Sequence, residues 1–178
     1  MNIGIDKIGF YTPPFALSME DLAVERGVEP AKYTVGIGQS TMAVAPVTQD
    51  IVTMGANAAI GILDEADKEA IDMILVGTET GIDQSKSAAV YIQNLLGLSN
   101  RVRSVELKHA CYGATAALQL AKGHIALNPE SKVLVIASDI AKYGLKSGGE
   151  PTQGAGAVAM IVSAEPRLLR LEDETSLF

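Results

Sequence analysis

Cysteine is nearly absent from this sequence, and that scarcity bounds the chemistry at once. One residue, Cys111, stands among 178. The chain cannot close a disulfide on itself, which fits a reducing compartment and a cytoplasmic location. Histidine is almost as rare, with two residues. No Cys or His cluster has the spacing of metal ligands, so a metal site is not expected. Tryptophan is missing and aromatics are few, so a core must be built from Ala, Val, Ile and Gly, as when helices pack tightly on a sheet. A basic excess is lacking too. The formal net charge is -7, which argues against a nucleic-acid surface, since that needs a basic patch. No apolar run approaches the ~20 residues that span a bilayer. The start, Met1-Asn2-Ile3-Gly4-Ile5-Asp6, has no basic region ahead of an apolar core and does not read as a secretory leader. Low-complexity tracts and internal repeats are also missing. One domain with a substantial core is expected.

What is present alternates between two periods. Ile3 to Phe10 alternates loosely and reads as a strand, closed by Tyr11-Thr12-Pro13-Pro14. Ser18 suits the N-cap of a short helix, Met19 to Arg26, ended at Gly27. Val28 to Pro46 is rich in Gly, Pro and Ser/Thr and reads as a long irregular stretch of functional type. Its Gly36-Ile37-Gly38-Gln39 lacks a third glycine and a preceding strand, so it is weak evidence for a phosphate site. Helices are expected over Thr48–Leu63, with Asp50 in the first turn, and over Lys86–Leu98, with Ala89, Ile92 and Leu96 inside. Ile71–Val76, Val133–Ala137 and Ala157–Val162 read as strands covered on both faces. Val102–Leu107 alternates, and Leu168–Leu171 suits an edge segment. The tail from Glu172 to Phe178 shows no terminal cap. Strands alternating with helices imply an α/β layered domain with a largely parallel sheet.

In such sheets, sites form beyond the carboxyl ends of strands. Glu79, Cys111 and Asp139 each follow the end of an expected strand, and neighbouring strands lie ~4.8 Å apart, so two of these side chains can share a pocket. Cys111 stands in a short turn between the Val102–Leu107 strand and a helix marked by Ala114, Ala117, Leu118, Ala121 and Ile125. The positive end of a helix dipole favours a thiolate over a thiol. Gly113 and Ala114 leave room for another group to approach the sulfur. The local signal fits a buried packing cysteine equally. Glu79, among small residues, is a candidate base for carbon chemistry or an exposed loop glutamate. His109, two residues before Cys111, would share its direction in an extended segment and is a weaker candidate base. His124 lies on the helix and reads as a packing or surface residue.

These stretches together carry a resemblance. Ala110-Cys111-Tyr112-Gly113-Ala114-Thr115-Ala116, preceded by Gly77-Thr78-Glu79-Thr80, resembles 3-hydroxy-3-methylglutaryl-CoA synthase of the bacterial type. Lys32-Tyr33-Thr34-Val35-Gly36-Ile37-Gly38-Gln39, Ile82-Asp83-Gln84-Ser85-Lys86-Ser87, Asp139-Ile140-Ala141-Lys142-Tyr143 and Pro151-Thr152-Gln153-Gly154-Ala155-Gly156-Ala157 match as well. The resemblance implies a thiolase-like fold, one half of a duplicated α-β-α-β-α architecture. It implies condensation of acetyl-CoA with acetoacetyl-CoA, the thioesters being substrates and no cofactor being required. By it Cys111 carries the acetyl group, Glu79 removes the methyl proton, Tyr143 and Thr152 face the acyl chain, and Glu29 lies near the coenzyme. His109 is not a catalytic position of the family. The family's enzymes are roughly twice as long, with the catalytic histidine in the second half. This chain therefore resembles the amino-terminal, nucleophile-bearing half, residues 1–178, and a homodimer formed by its central strands is implied. The alternatives are another thiolase-fold acyl transferase of the ketoacyl synthase III kind, which lacks a glutamate base, and a non-catalytic assembly module.

Overall fold

In the computed structural model, which describes residues 1–172, strand β1 (Ile3–Tyr11) opens with four buried residues and then alternates. Pro13 and Pro14 cannot donate to a ladder, and the chain leaves the sheet there. β2 (Phe15–Ser18) runs straight into helix α1 (Met19–Arg26). Both ends of α1 are set by local chemistry. The Ser18 hydroxyl accepts a hydrogen bond from the Asp21 amide at 3.3 Å, and Gly27 closes the helix at φ +65°.

The stretch Val28–Pro46 is more ordered than its composition suggests. It holds a one-turn helix, α2 (Ala31–Thr34), and a strand, β3 (Thr41–Val44), that pairs antiparallel with β2 from Phe15 opposite Val44 to Ser18 opposite Thr41. One helical turn is too short to show a 3.6 period, and β3 buries only Met42, so neither element announces itself in sequence. Met19, Leu22, Ala23, Tyr33 and Met42 form a small core beneath this hairpin.

Helix α3 (Ile51–Ile60) is shorter than its apolar stripe. Asp50 is its N-cap rather than a first-turn residue, exchanging hydrogen bonds with Thr53 in a capping box. α4 (Glu65–Ala70), absent from the sequence reading, is held by a second box between Asp64 and Asp67. Then come β4 (Ile71–Gly77), α5 (Ala88–Leu95), β5 (Arg103–Leu107) and α6 (Gly113–Leu127). The last strands, β6 (Lys132–Ala141) and β7 (Gly154–Ala164), outrun their apolar segments because they pair along their length, from Val133 opposite Val162 to Ala141 opposite Gly154. Ladder hydrogen bonds keep Ser138, Asp139 and the glycines extended without apolar side chains. Asp139 is therefore inside β6, not beyond it. β8 (Leu169–Arg170) lies against β1, as the edge reading expects. The tail from residue 173 on lies outside the described residues.

The main sheet has the order β5-β4-β6-β7-β1-β8. β4 is parallel to β5 and β6, while the β6–β7, β7–β1 and β1–β8 pairs are antiparallel. β5, β4, β6 and β1 consequently point one way, and only β7 and β8 are reversed. α3 and α5 cover one face through Ile51, Met54, Ala58, Ala89, Ile92 and Leu96. α6 covers the other through Ala117, Ala121 and Ile125, all fully buried against Leu75, Val133, Val135 and Met160. Among the described residues β5 and β8 are the edge strands, and the central strands have neighbours on both sides.

Candidate active site

Register brings the candidate residues to one end of the sheet. Gly77, the last residue of β4, sits opposite Leu107 of β5 and Ala137 of β6. Glu79 follows two residues on, Cys111 follows Leu107 after four, and Asp139 follows Ala137 after two. Because the three strands are parallel, all three residues emerge at the same end.

Two glycines draw the β4 and α6 segments together. A methyl on Gly77 would lie 2.4 Å from the Ala114 nitrogen, and one on Gly113 would lie 2.9 Å from the Leu107 carbonyl oxygen. The Thr78 amide donates to that same Leu107 carbonyl at 3.2 Å. The first turn of α6 thus seats on the end of β4 with no space for a side chain between them. Gly113 here admits the backbone of the neighbouring strands.

Cys111 is exposed and has φ +62°. That excludes the reading of a buried packing cysteine. A left-handed backbone at a non-glycine costs on the order of 1–3 kcal/mol and persists only where its surroundings impose it. Here the amides of Tyr112 and Gly113 both donate to the His109 carbonyl, at 3.1 and 2.8 Å, and close the turn around Cys111. Tyr112 is the N-cap of α6 and gives no side-chain cap. The thiol precedes the helix by two residues, at its positive end.

Asp139 fastens the Glu79 loop. One carboxylate oxygen, Oδ1, accepts from the Thr78 hydroxyl at 2.8 Å, the Glu79 amide at 2.8 Å, the Thr80 hydroxyl at 2.9 Å and the Thr80 amide at 3.2 Å. The Thr80 hydroxyl in turn accepts from the Ile140 amide at 3.1 Å. Glu79 is half-buried on this framework. Sequence reasoning singled out Asp139 for its place near a strand end but missed Thr78 and Thr80, whose hydroxyls flank Glu79. The alternating Thr-Glu-Thr is the signal that marks them.

The two histidines take no part in this arrangement. His109 is exposed, with its ring edge-to-face on Tyr112 at 5.4 Å and 71°. Its carbonyl, not its imidazole, serves the nucleophile turn. His124 points to the start of β4, where its Nε2 lies 2.9 Å from Asp72 Oδ1, so it ties α6 to the sheet at the far end.

Tyr143 and Thr152 stand on the connection from β6 to β7, which leaves the sheet at the same end as Cys111 and Glu79. Both are exposed. The Tyr143 amide donates to Gln153 Oε1 at 2.6 Å, and the Thr152 hydroxyl donates to the Gly149 carbonyl at 2.8 Å. Glu29 is exposed at the entry to α2, where its carbonyl accepts from the Lys32 amide at 2.9 Å. A cavity of about 610 Å³ lies between α1, α2 and the β6–β7 connection, lined by Val28, Lys32, Tyr33, Lys146 and Pro151 among others. Glu29 sits in sequence between two of these. No hydrogen bond or ion pair among the described residues joins Glu29, Tyr143 or Thr152 to Cys111 or Glu79.

Comparison with known proteins identifies the family. Residues 1–166 match the profile of the family described as hydroxymethylglutaryl-coenzyme A synthase N terminal. A hydroxymethylglutaryl-CoA synthase of Enterococcus faecalis is 62% identical over 174 residues, covering 98% of this chain and 45% of the relative. A hydroxymethylglutaryl-CoA synthase crystallised with coenzyme A superimposes with a TM-score of 0.95 at 52% identity, over 98% of this chain and 45% of that one. MvaS in complex with 3-hydroxy-3-methylglutaryl coenzyme A gives 0.91 at 45% identity, over 97% and 42%. The chain spans about half the length of the relatives it matches.

Proposed function

This chain belongs to the hydroxymethylglutaryl-CoA synthase family, matching its amino-terminal part, and from that premise we propose that it supplies the nucleophile and the carbon base for condensing acetyl-CoA with acetoacetyl-CoA, a step of the mevalonate pathway. The observation that carries this reading is the single end of the sheet shared by an exposed cysteine in an imposed left-handed turn and a glutamate fastened through its own amide.

The steps follow from those positions. The Cys111 sulfur attacks the thioester carbonyl of acetyl-CoA, a new C–S bond forms and coenzyme A leaves as its thiol. Glu79 removes a proton from the methyl carbon of the bound acetyl group, and the thioester carbonyl accepts the electron pair as an enolate. That carbon attacks the ketone of acetoacetyl-CoA, joining the two acyl groups, and the ketone oxygen takes a proton. Water then cleaves the acyl–Cys111 bond, giving the free carboxylate of the product and restoring the thiol. The family's catalytic histidine, absent from these residues by motif, protonates the ketone from the remainder of the protein. Lys32 and Lys146, at the cavity, suit the phosphates of a coenzyme A thioester. Glu29, Tyr143 and Thr152 contact the thioester at the cavity margin and the loop beside it.

The complete protein is cytoplasmic and works as a homodimer. Because the central strands are already paired on both sides, a second copy adds along the free β5 edge, not through them. Among the described residues, no helix is long and apolar enough to cross a membrane. Glu79 favours this activity over a ketoacyl synthase III-like one. The test is loss of the acetoacetyl-CoA enolate absorbance when acetyl-CoA is added to the full-length protein. Acetyl-CoA-dependent consumption with release of free coenzyme A is expected, and its absence would overturn the reading.

A further inference from the structure

The β6–β7 connection, residues 142–153, carries Gly144, Gly148 and Gly149 and one short 3-10 turn, Glu150–Thr152. Glycine-rich segments of this kind do not hold a shape unaided. Most of its hydrogen bonds are internal: Tyr143 to Gln153, Thr152 to Gly149, and the Lys146 amide to Glu150 Oε2 at 2.9 Å. Among the described residues, one hydrogen-bonded pair ties it to another element. Arg26, in the last turn of α1, donates from Nε to Glu150 Oε2 at 2.7 Å and from a terminal nitrogen to Oε1 at 2.8 Å. This fork-on-carboxylate geometry fixes orientation as well as distance. Glu150 is 4% exposed while the Arg26 side chain is 23% exposed, so the carboxylate is buried and the tie is partly shielded from water.

A second observation shows what the tie imposes. Lys146 has φ +60°, a left-handed backbone at a residue with a side chain. The carboxylate that Arg26 grips also receives the Lys146 amide. One buried carboxylate thus anchors the loop to a rigid helix and holds its strained residue in place. Arg26, Glu150 and Lys146 all line the 610 Å³ cavity.

We propose that the Arg26–Glu150 pair is a positioning clasp that sets the affinity for the coenzyme A thioester, by holding Lys146 at the cavity and fixing the loop that carries Tyr143 and Thr152 beside it, without touching the reacting atoms. This rests on the functional reading above. The clasp acts on binding. Cys111, carried by a separate turn, keeps its own reactivity when the clasp opens.

The experiment uses the intact protein and follows alkylation of Cys111 by iodoacetamide with and without coenzyme A. In Glu150→Gln, the coenzyme A concentration that halves the alkylation rate is expected to rise roughly tenfold to a hundredfold, as for a misplaced positioning contact. Arg26→Lys, which keeps the charge and loses the fork, falls between it and the wild type. Alkylation without coenzyme A keeps its wild-type rate in both, and amide exchange at Lys146 accelerates. Unchanged protection in Glu150→Gln would overturn the clasp, and so would a parallel loss of unprotected alkylation in the milder Arg26→Lys, since that marks a general folding role. If coenzyme A fails to protect the wild type, the functional reading itself falls. Protection that does not change between wild type and Glu150→Gln removes the clasp alone.

Discussion

At the scale of single residues, Cys111 is constrained as a backbone and, on the proposed function, as the nucleophile. Its φ of +62° predicts that removing the Cβ relieves strain. Cys111→Gly should be more stable than Cys111→Ala by about 1 kcal/mol, the reverse of the order in a helix or strand, and chemical denaturation of the two variants measures the difference. Neither should acquire an acetyl group from acetyl-CoA, because no other thiol exists in the chain. Glu79 acts later. Glu79→Ala should keep the acetylation of Cys111 seen by mass spectrometry and lose exchange of the acetyl methyl protons with solvent. Asp139→Ala frees the amides of Glu79 and Thr80 together with two threonine hydroxyls, so methyl exchange should fall by roughly 100-fold as the base drifts from its carbon. Methyl exchange at the wild-type rate in Asp139→Ala would show that Glu79 is held by something other than this carboxylate.

At the scale of elements, the meeting of β4 with α6 decides whether the site exists. Gly77→Ala puts a methyl 2.4 Å from the Ala114 nitrogen, and backbone on both sides leaves no flexible side chain to yield. A cost of about 1–3 kcal/mol is expected, as for overpacking elsewhere, and the displaced first turn of α6 should slow Cys111 alkylation as well. A control on the same face is Ile125→Ala, deep in the α6 contact with the sheet. It should cost about 2–5 kcal/mol while the alkylation rate of the folded fraction stays unchanged. The helix caps make a milder case. Asp50→Ala removes the α3 capping box and should cost about 1 kcal/mol by thermal or chemical unfolding.

At the scale of the whole molecule, carboxylates, buried at Asp6, Asp67 and Glu150 and exposed at Asp64, join distant parts of the chain, and their protonation sets the acid limit of stability. The Arg26 hydrogen bonds pull Glu150 down to about 2, and those of Lys7 do the same for Asp64. Asp6 is lowered by Arg167. Burial pushes Asp67 up, but hydrogen bonds from Lys132 and Lys7 outweigh it and leave it lowered. Each is harder to protonate folded than unfolded. Their contribution is therefore complete above the unfolded carboxylate range, near pH ~4, and is lost as the pH falls toward ~2. Unfolding followed by circular dichroism should show stability flat down to about pH 4 and declining below it, with Glu150→Gln removing part of the decline. A second prediction at this scale concerns completeness. Positioning supplies ~7–11 kcal/mol of such barriers. If residues beyond this chain hold acetoacetyl-CoA, as the proposed function requires, residues 1–178 should take up an acetyl group on Cys111 from acetyl-CoA and form no detectable product until a separately produced second half is added.

Much of this was legible in the sequence because it depends on neighbours along the chain. Ser18 and Gly27 bound α1 by local hydrogen bonding and a left-handed cap. The stripe Ala89, Ile92, Leu96 marks the inner face of α5, and the covered runs of β4, β6 and β7 follow from apolar continuity. Cys111 and Glu79 could be named as partners because parallel strands deliver their carboxyl ends to one side. Pairing across the fold was not legible. β3 buries a single residue, and its partner β2 lies far upstream, so the hairpin becomes visible only once both strands are folded. The polar ends of β6 and β7 are held by ladder hydrogen bonds, not by hydrophobicity, and that placed Asp139 inside a strand. The four donors on Asp139 and the fork of Arg26 on Glu150 join residues 59 to 124 positions apart. Local propensity carries no trace of such distances; only the folded chain closes them.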